Sequence, residues 1–275
     1  MVGRVFYCKA LGHSPVSFSA LLSVIELINR LVVMSRRKIK RAAPKRIKRW
    51  LSLTLMGFLL VTWLPVVLLR WFEPPATAFM LLQTQESDRS TFRYRWADWP
   101  ELGSSAALAV IAAEDQKFPE HYGFDVVAIQ DAVLDRLDGK SLRGASTITQ
   151  QVAKNLFLWP DQSFLRKGIE AYFSVIIELT WSKKRILEMY LNIAEFGPGI
   201  YGIPEASRIY FGKTPRQLTD ADAALLAAVL PNPNRFHVNQ PSEHVRERQR
   251  WILQHMGKLK RYGWLNLIEG KGAGA

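Results

Sequence analysis

Residues 50–69, WLSLTLMGFLLVTWLPVVLL, run for twenty positions without a charge. At about 1.5 Å of rise per residue, a helix of that length covers roughly the 30 Å hydrocarbon thickness of a bilayer. Inside a bilayer only a helix or a closed barrel satisfies every backbone N–H and C=O, so this run must be helical if it is lipid-facing. Trp50, Trp63 and Trp71 accompany it, two of them near its ends, where interfacial aromatic rings belong. Pro65 predicts a kink, which a membrane helix tolerates. A cleaved leader fits less well, because the apolar run is too long and no small-x-small site follows it. The expectation is a single transmembrane anchor over 50–70.

The stretch directly ahead, SRRKIKRAAPKRIKR (35–49), carries nine Lys or Arg residues and no acid. The whole chain has a formal net charge of +13 and a pI near 10.0, which calls for an anionic partner surface. Position narrows that choice. A basic block abutting an apolar span is a topology signal that also touches anionic lipid, so we read membrane lipid and no nucleic acid as its partner. Basic flanks stay cytoplasmic, which makes 1–49 a cytoplasmic segment and places everything after Arg70 across the cell inner membrane. The apolar stretch 16–33 is interrupted by Glu26, Asn29 and Arg30, too often for a second span, and Met34 is an alternative start to Met1. Cys8 is the sole cysteine, so neither an intrachain disulfide nor a cysteine-based metal site or nucleophile is expected.

Residues 71–99 read as a juxtamembrane linker with Pro74 and Pro75, and 100–275 as a helical domain. Apolar periodicity with Ser or Thr at the starts predicts helices in 104–115, 146–158, 163–181, 182–196, 202–213, 219–230 and 242–263. No alternating strand run is visible. The expected fold class is all-α.

Three clusters in this domain carry candidate chemistry. In AEDQKFPEHYGFD (113–125), Glu114 stands at the C-terminal end of an apolar helix, where the macrodipole is negative, with Asp115 beside it. Both effects favour the protonated carboxyl, which suits a general base near neutral pH. Phe118, His121 and Gly123 are placed to fold back and close the turn. A capped surface turn with solvated acids reads the same residues as well. Zinc does not, because one His and no H-E-x-x-H are present. In GASTITQQVAKN (144–155), Thr147, Gln151 and Lys154 share one helix face, offering a hydroxyl, an amide and an ammonium to a ligand; a solvated polar stripe is the alternative. In RKGIE (166–170), Arg166 and Glu170 are an i, i+4 pair. Glu170 opens the apolar AYFSVII, so it needs a partner or a cation. Further on, Glu188 and Asn192 lie one turn apart before a glycine-rich loop, and Lys213 follows Gly212 as another cation.

Taken in order, E-D-x-x-F-x-x-H-x-G at 114–123, G-x-S-T-I-T-Q-Q at 144–151, R-K-x-x-E at 166–170, I-L-E-x-Y-L-N at 186–192 and Y-F-G-K at 210–213 resemble the five motifs of the peptidoglycan glycosyltransferases, glycosyltransferase family 51. The resemblance spans roughly residues 100–235. The sole S-x-x-K, Ser35–Lys38, lies in the basic run and no K-T-G follows, so the similarity is to members that carry the glycosyltransferase half alone.

What the resemblance implies is a lysozyme-like helical fold that polymerises lipid II into β-1,4 glycan strands with inversion, releasing undecaprenyl diphosphate. Glu114 then matches the general base and Glu170 the second acid, acting directly or through a divalent cation, Mg or Mn. Lys154, Arg166 and Lys213 match positions near the diphosphate, with Thr147 and Gln151 lining the cleft. Asp115, Phe118, His121, Glu188 and Asn192 support the site. The implied partners are lipid II, the nascent glycan strand, and other cell-wall synthases and division proteins. A lytic transglycosylase or hydrolase on the same fold is the alternative, and a non-enzymatic membrane scaffold a third reading.

Overall fold

A computed structural model of the chain describes residues 45–86, 92–137, 146–161 and 163–270. Cys8, Met34, the 16–33 stretch and the first ten residues of the basic run lie outside these. The chain divides into two compact units, Met1–Phe58 and Leu59–Ala275.

Helix α1, Lys45–Leu68, is the one helix among the described residues that is long and apolar enough to cross a membrane, with a mean hydropathy of 2.2. It begins ahead of the predicted anchor, because the backbone runs helically through Lys45, Arg46, Lys48 and Arg49. Pro65 sits inside it and still accepts from the Leu69 amide at 2.9 Å through its carbonyl. In the first unit the large apolar side chains of α1, Trp50, Leu51 and Leu55 among them, are exposed.

The second unit is built round α4, Ser104–Glu114. Its residues from Ala106 to Ala112 are all buried. A helix that is apolar on every side belongs in the middle of a core. It is flanked by α10 (Asp220–Val229), another Ala- and Leu-rich buried helix, and by α11 (Glu243–Arg261). A second layer holds α6 (Ile148–Phe157), α7 (Phe164–Thr180) and α8 (Lys183–Ile193), with α2 (Ala78–Glu86) lying on α6. Short helices α3 (Trp99–Leu102), α5 (Val126–Leu137), α9 (Ile203–Phe211) and α12 (Trp264–Ile268) complete it.

Helix starts follow capping chemistry. Thr147, Ser163, Ser182, Thr219 and Ser242 each accept a backbone N–H three residues on. Thr147 and Thr219 complete reciprocal capping boxes with Gln150 and Asp222.

The fold is mostly helical, as expected, with two local departures. A three-stranded sheet in the order β1-β3-β2 joins Arg93–Tyr94, Ile200–Tyr201 and Glu195–Gly197; β1 runs parallel to β3, and β2 antiparallel to it. Strands of two or three residues are too short to show alternation, and this is why the helix predicted over 182–196 stops at Ile193 instead. Gly202 then turns the chain back into α9 at φ +82°, where a Cβ would stand 2.4 Å from the Asn192 carbonyl oxygen. Second, part of the predicted linker is folded: Met80 on α2 is fully buried, and α5 occupies a stretch for which no helix was predicted.

Candidate active site

Four helices deliver side chains to one hollow of about 660 Å³. Helix α4 ends on Glu114, α6 contributes Gln151 and Lys154, α7 contributes Arg166, Lys167 and Glu170, and α11 contributes Arg248 and Trp251. Being buried on all sides, α4 has no freedom to rotate its last residue elsewhere.

Glu114 is held by both oxygens. Oε2 accepts from the Gln151 amide at 2.9 Å, and Oε1 from Arg248 Nη2 at 3.3 Å. The Gln151 carbonyl oxygen in turn accepts from the Tyr190 hydroxyl at 3.0 Å, which fixes the amide's orientation. Burial pushes the Glu114 carboxyl above the ordinary carboxylate range, against the pull of Gln151, Arg248 and Lys154. The expected direction therefore holds, but for a different reason. Asp115 does not face Glu114; it turns the other way, accepting from His121 Nε2 at 2.8 Å and from the Ile148 backbone N–H at 3.0 Å.

Across the hollow Glu170, only 3% exposed, accepts from Arg166 Nη1 at 3.0 Å and from the Lys167 ammonium. Lys154 meets no carboxylate within ion-pair distance among the described residues and lies over the Phe79 ring, 5.2 Å from its centroid. Burial holds its ammonium below the usual lysine value; Glu170 opposes this, while Arg166 and Lys167 add to it. The Nε–H groups of Arg166 and Arg248 are buried with no acceptor among the described residues. Lys154, Arg166, Lys167 and Arg248 line the hollow together, so it is chemically suited to an anion rich in oxygens.

Behind Glu114, the loop 115–125 is clamped from several sides. Phe118 is fully buried. Thr147 Oγ1 donates to the Gly123 carbonyl at 2.7 Å. Lys183 Nζ donates to the His121 carbonyl at 2.5 Å and to Glu178 at 2.8 Å, and the same Glu178 oxygen accepts from Thr149 at 2.6 Å.

Two predicted site residues do not join the hollow. Thr147 spends its hydroxyl on capping α6 and on the Gly123 carbonyl, and lines a neighbouring cavity of about 280 Å³ that Glu114, Asp115 and Ser146 also border. Its neighbours Ser146 and Gln150 line the hollow instead. Lys213 pairs with Asp222 at 2.6 Å and lines a separate cavity of about 290 Å³ beside Arg208 and Arg216. The left-handed turn at Gly212, φ +63°, ends α9 and sends the chain towards α10, which carries Asp222. Glu188 and Asn192 also stay away from the hollow. Glu188 accepts from the Trp99 N–H at 2.7 Å, and Asn192 bonds both the N–H and the carbonyl of Ala97, so they anchor the chain entering α3 and α4.

Sequence reasoning missed Arg248, Tyr190, Lys167, Glu178 and Lys183. Glu178 carried a usable signal, a lone acid in the apolar VIIELTW. Arg248 carried none, since it sits in a helix crowded with charge.

The donor set at Glu170 does not fit a protein-held divalent cation. Both of its oxygens already face cationic side chains, and among the described residues no group of three His, Cys, Asp or Glu side chains could share a metal.

The family described as Transglycosylase matches residues 81–257. The chain belongs to the transglycosylase family. That match opens in α2 and closes in α11 beyond Trp251, so it encloses every residue of the hollow and leaves out α1. This transglycosylase is 48% identical over 217 residues to a biosynthetic peptidoglycan transglycosylase of Shewanella oneidensis, covering 78% of this chain and 93% of that one. It is 50% identical over 220 residues to one of Pasteurella multocida (78% and 89%) and 47% identical over 233 residues to one of Cronobacter sakazakii (83% and 93%).

Proposed function

We propose that this transglycosylase polymerises lipid II into β-1,4 glycan strands. The single observation that supports it most is the polarity of the hollow: a largely buried carboxylate with raised proton affinity on one wall, and Lys154, Arg166 and Lys167 on another. An inverting transfer needs a base on the acceptor side and stabilisation of negative charge on the leaving side.

In this reading Glu114 takes the proton from the acceptor's 4-hydroxyl as that oxygen bonds the donor's anomeric carbon. The bond from that carbon to the diphosphate oxygen breaks, and the α-linked donor becomes a β-linked product. Negative charge growing on undecaprenyl diphosphate is met by Lys154 and Arg166, which line the hollow beside Lys167. Glu170 keeps Arg166 and Lys167 turned into the hollow. A divalent cation would have to take most of its ligands from the diphosphate, because Glu170, the carboxylate on that wall among the described residues, is already paired.

A lipid-linked substrate also explains the span. We place the catalytic unit on the outer face of the inner membrane, with the basic segment ahead of α1 in the cytoplasm.

The test is polymerisation of purified lipid II. Glu114→Gln should abolish glycan synthesis while circular dichroism and melting remain those of a folded protein. Wild-type turnover by that variant would refute the assignment of the base. Release of soluble fragments from intact sacculi, without polymer from lipid II, would favour a cleaving enzyme.

A further inference from the structure

We propose that Arg185 is a positioning residue for this transfer: it ties the chain leaving α1 to the catalytic unit, so that the hollow meets lipid II at a set height above the lipid surface. The inference rests on lipid II being the substrate.

A helix leaves its last four carbonyls without partners inside it. In α1 those of Pro65, Val67 and Leu68 accept from the amides of Leu69, Arg70 and Trp71. The Val66 carbonyl accepts from Trp181 Nε1 at 2.8 Å, so a side chain just beyond α7 closes the helix end. Past that end, Arg185 of α8 takes two more main-chain oxygens. Its Nε and Nη2 donate to the Leu69 carbonyl at 3.2 and 2.9 Å, and Nη2 also donates to the Phe72 carbonyl at 2.8 Å. A cation there also opposes the negative pole of α1. Earlier in α1, the hydroxyls of Thr62 and Tyr172 bond at 2.9 Å. All of these contacts lie within the unit Leu59–Ala275.

Their position is what points to function. Leu68, Trp71 and Phe72 are exposed at the end of the helix that could cross a membrane. Aromatic rings at such an end mark the boundary between hydrocarbon and headgroups. Arg185 grips the backbone at that level, and its remaining nitrogen, Nη1, donates to Glu188 Oε2 at 2.7 Å. The other Glu188 oxygen accepts from the Trp99 N–H, and Trp99 opens α3, which leads through Gly103 into α4 and Glu114. The guanidinium also lies 5.0 Å from the centre of the Trp96 ring. One planar group therefore joins the level of the lipid surface to the element that carries the base. Arg185 does not line the hollow, so it acts on how the substrate is met and not on the chemistry.

The experiment gives wild type and Arg185→Met, full-length and reconstituted in vesicles, two forms of lipid II. One is undecaprenyl lipid II embedded in the same bilayer; the other is a short-chain, water-soluble lipid II supplied from solution. Misplacing a reacting group by about 1 Å can lower the rate on the order of 100-fold. Trp181 and Tyr172 still hold α1 in the variant, so kcat/KM for the embedded form should fall roughly tenfold. The soluble form arrives at no fixed height, and its kcat/KM should stay near the wild-type value. An equal loss on both forms marks a purely structural role and overturns the proposal, as does an undiminished rate on the embedded form. Should Arg185→Met not fold, Arg185→Lys is judged by the same ratio, since it keeps a charge beside Glu188 but lacks the fork that holds both carbonyls. If the wild type polymerises neither form, the lipid II reading itself fails; if it polymerises both and the ratio does not move, only the role of Arg185 does.

Discussion

Replacing Glu178 with Ala perturbs the clamp on the loop 115–125 behind Glu114 without touching the hollow. The Glu178 side chain is 6% exposed and Lys183 18% exposed, and their 2.8 Å contact is a largely buried ion pair. Removing one partner of such a pair costs about 3–5 kcal/mol, mostly by stranding the other charge. Lys183 would keep the His121 carbonyl and the Phe118 ring, 4.6 Å from its ammonium, so about 3 kcal/mol is the appropriate figure. Thr149, which is fully buried, also loses its acceptor, adding about 1 kcal/mol. For a domain of this size each kcal/mol lowers Tm by about 2–4 °C, giving a drop of roughly 8–16 °C. The assay is thermal unfolding followed by far-UV circular dichroism for Glu178→Ala, Lys183→Ala and the double variant. A coupling energy of about 2 kcal/mol or more is expected between them, since each single change strands the other group. Two single variants within about 1 kcal/mol of wild type and strictly additive in combination would refute the reasoning, and the loop would then be held by packing around Phe118 alone.

Other outcomes can be stated for the same molecule. Because the folded state holds the Glu114 proton more tightly than the unfolded chain does, stability falls as pH rises from the ordinary carboxylate range through the raised value. Glu114→Gln should therefore melt higher than wild type at neutral pH, with the gap closing in acid; an equal or lower Tm at neutral pH contradicts the burial argument. Lys154→Ala removes a charge-assisted contact worth about 1.5–3 kcal/mol, so kcat/KM for lipid II should drop on the order of 10- to 100-fold. Lys213→Ala, whose partner is Asp222, should leave KM for lipid II near the wild-type value; a rise like that of Lys154→Ala would return Lys213 to the binding site. Gly123→Ala should destabilise by about 1–2 kcal/mol, since its φ is +79° and the new Cβ would stand 3.1 Å from Glu178 Cγ; a neutral melt would show that the turn relaxes.

The primary sequence was enough to locate the helix that could cross a membrane, the long helices and the candidate base, because each rests on local pattern. Twenty uncharged residues admit few structures, apolar spacing at a helical period is read directly, and Ser or Thr before such a run marks its start. Ordered motifs brought Glu114, Gln151, Lys154, Arg166 and Glu170 into view together, and the fold sets them around one hollow.

What pattern could not decide is which way a side chain turns once helices pack. Thr147 shares a helical face with Gln151 and Lys154 on paper, yet as the cap of α6 its hydroxyl is committed to backbone. Lys213 looks like another phosphate-binding cation until Gly212 directs it to Asp222. Arg248 looks like one charge among many on an exposed helix, and only the packing of α11 on α4 brings it to Glu114. The raised proton affinity of Glu114 has the same origin. The neighbouring acid in the chain is turned away, and burial, a property of the assembled fold, supplies the effect.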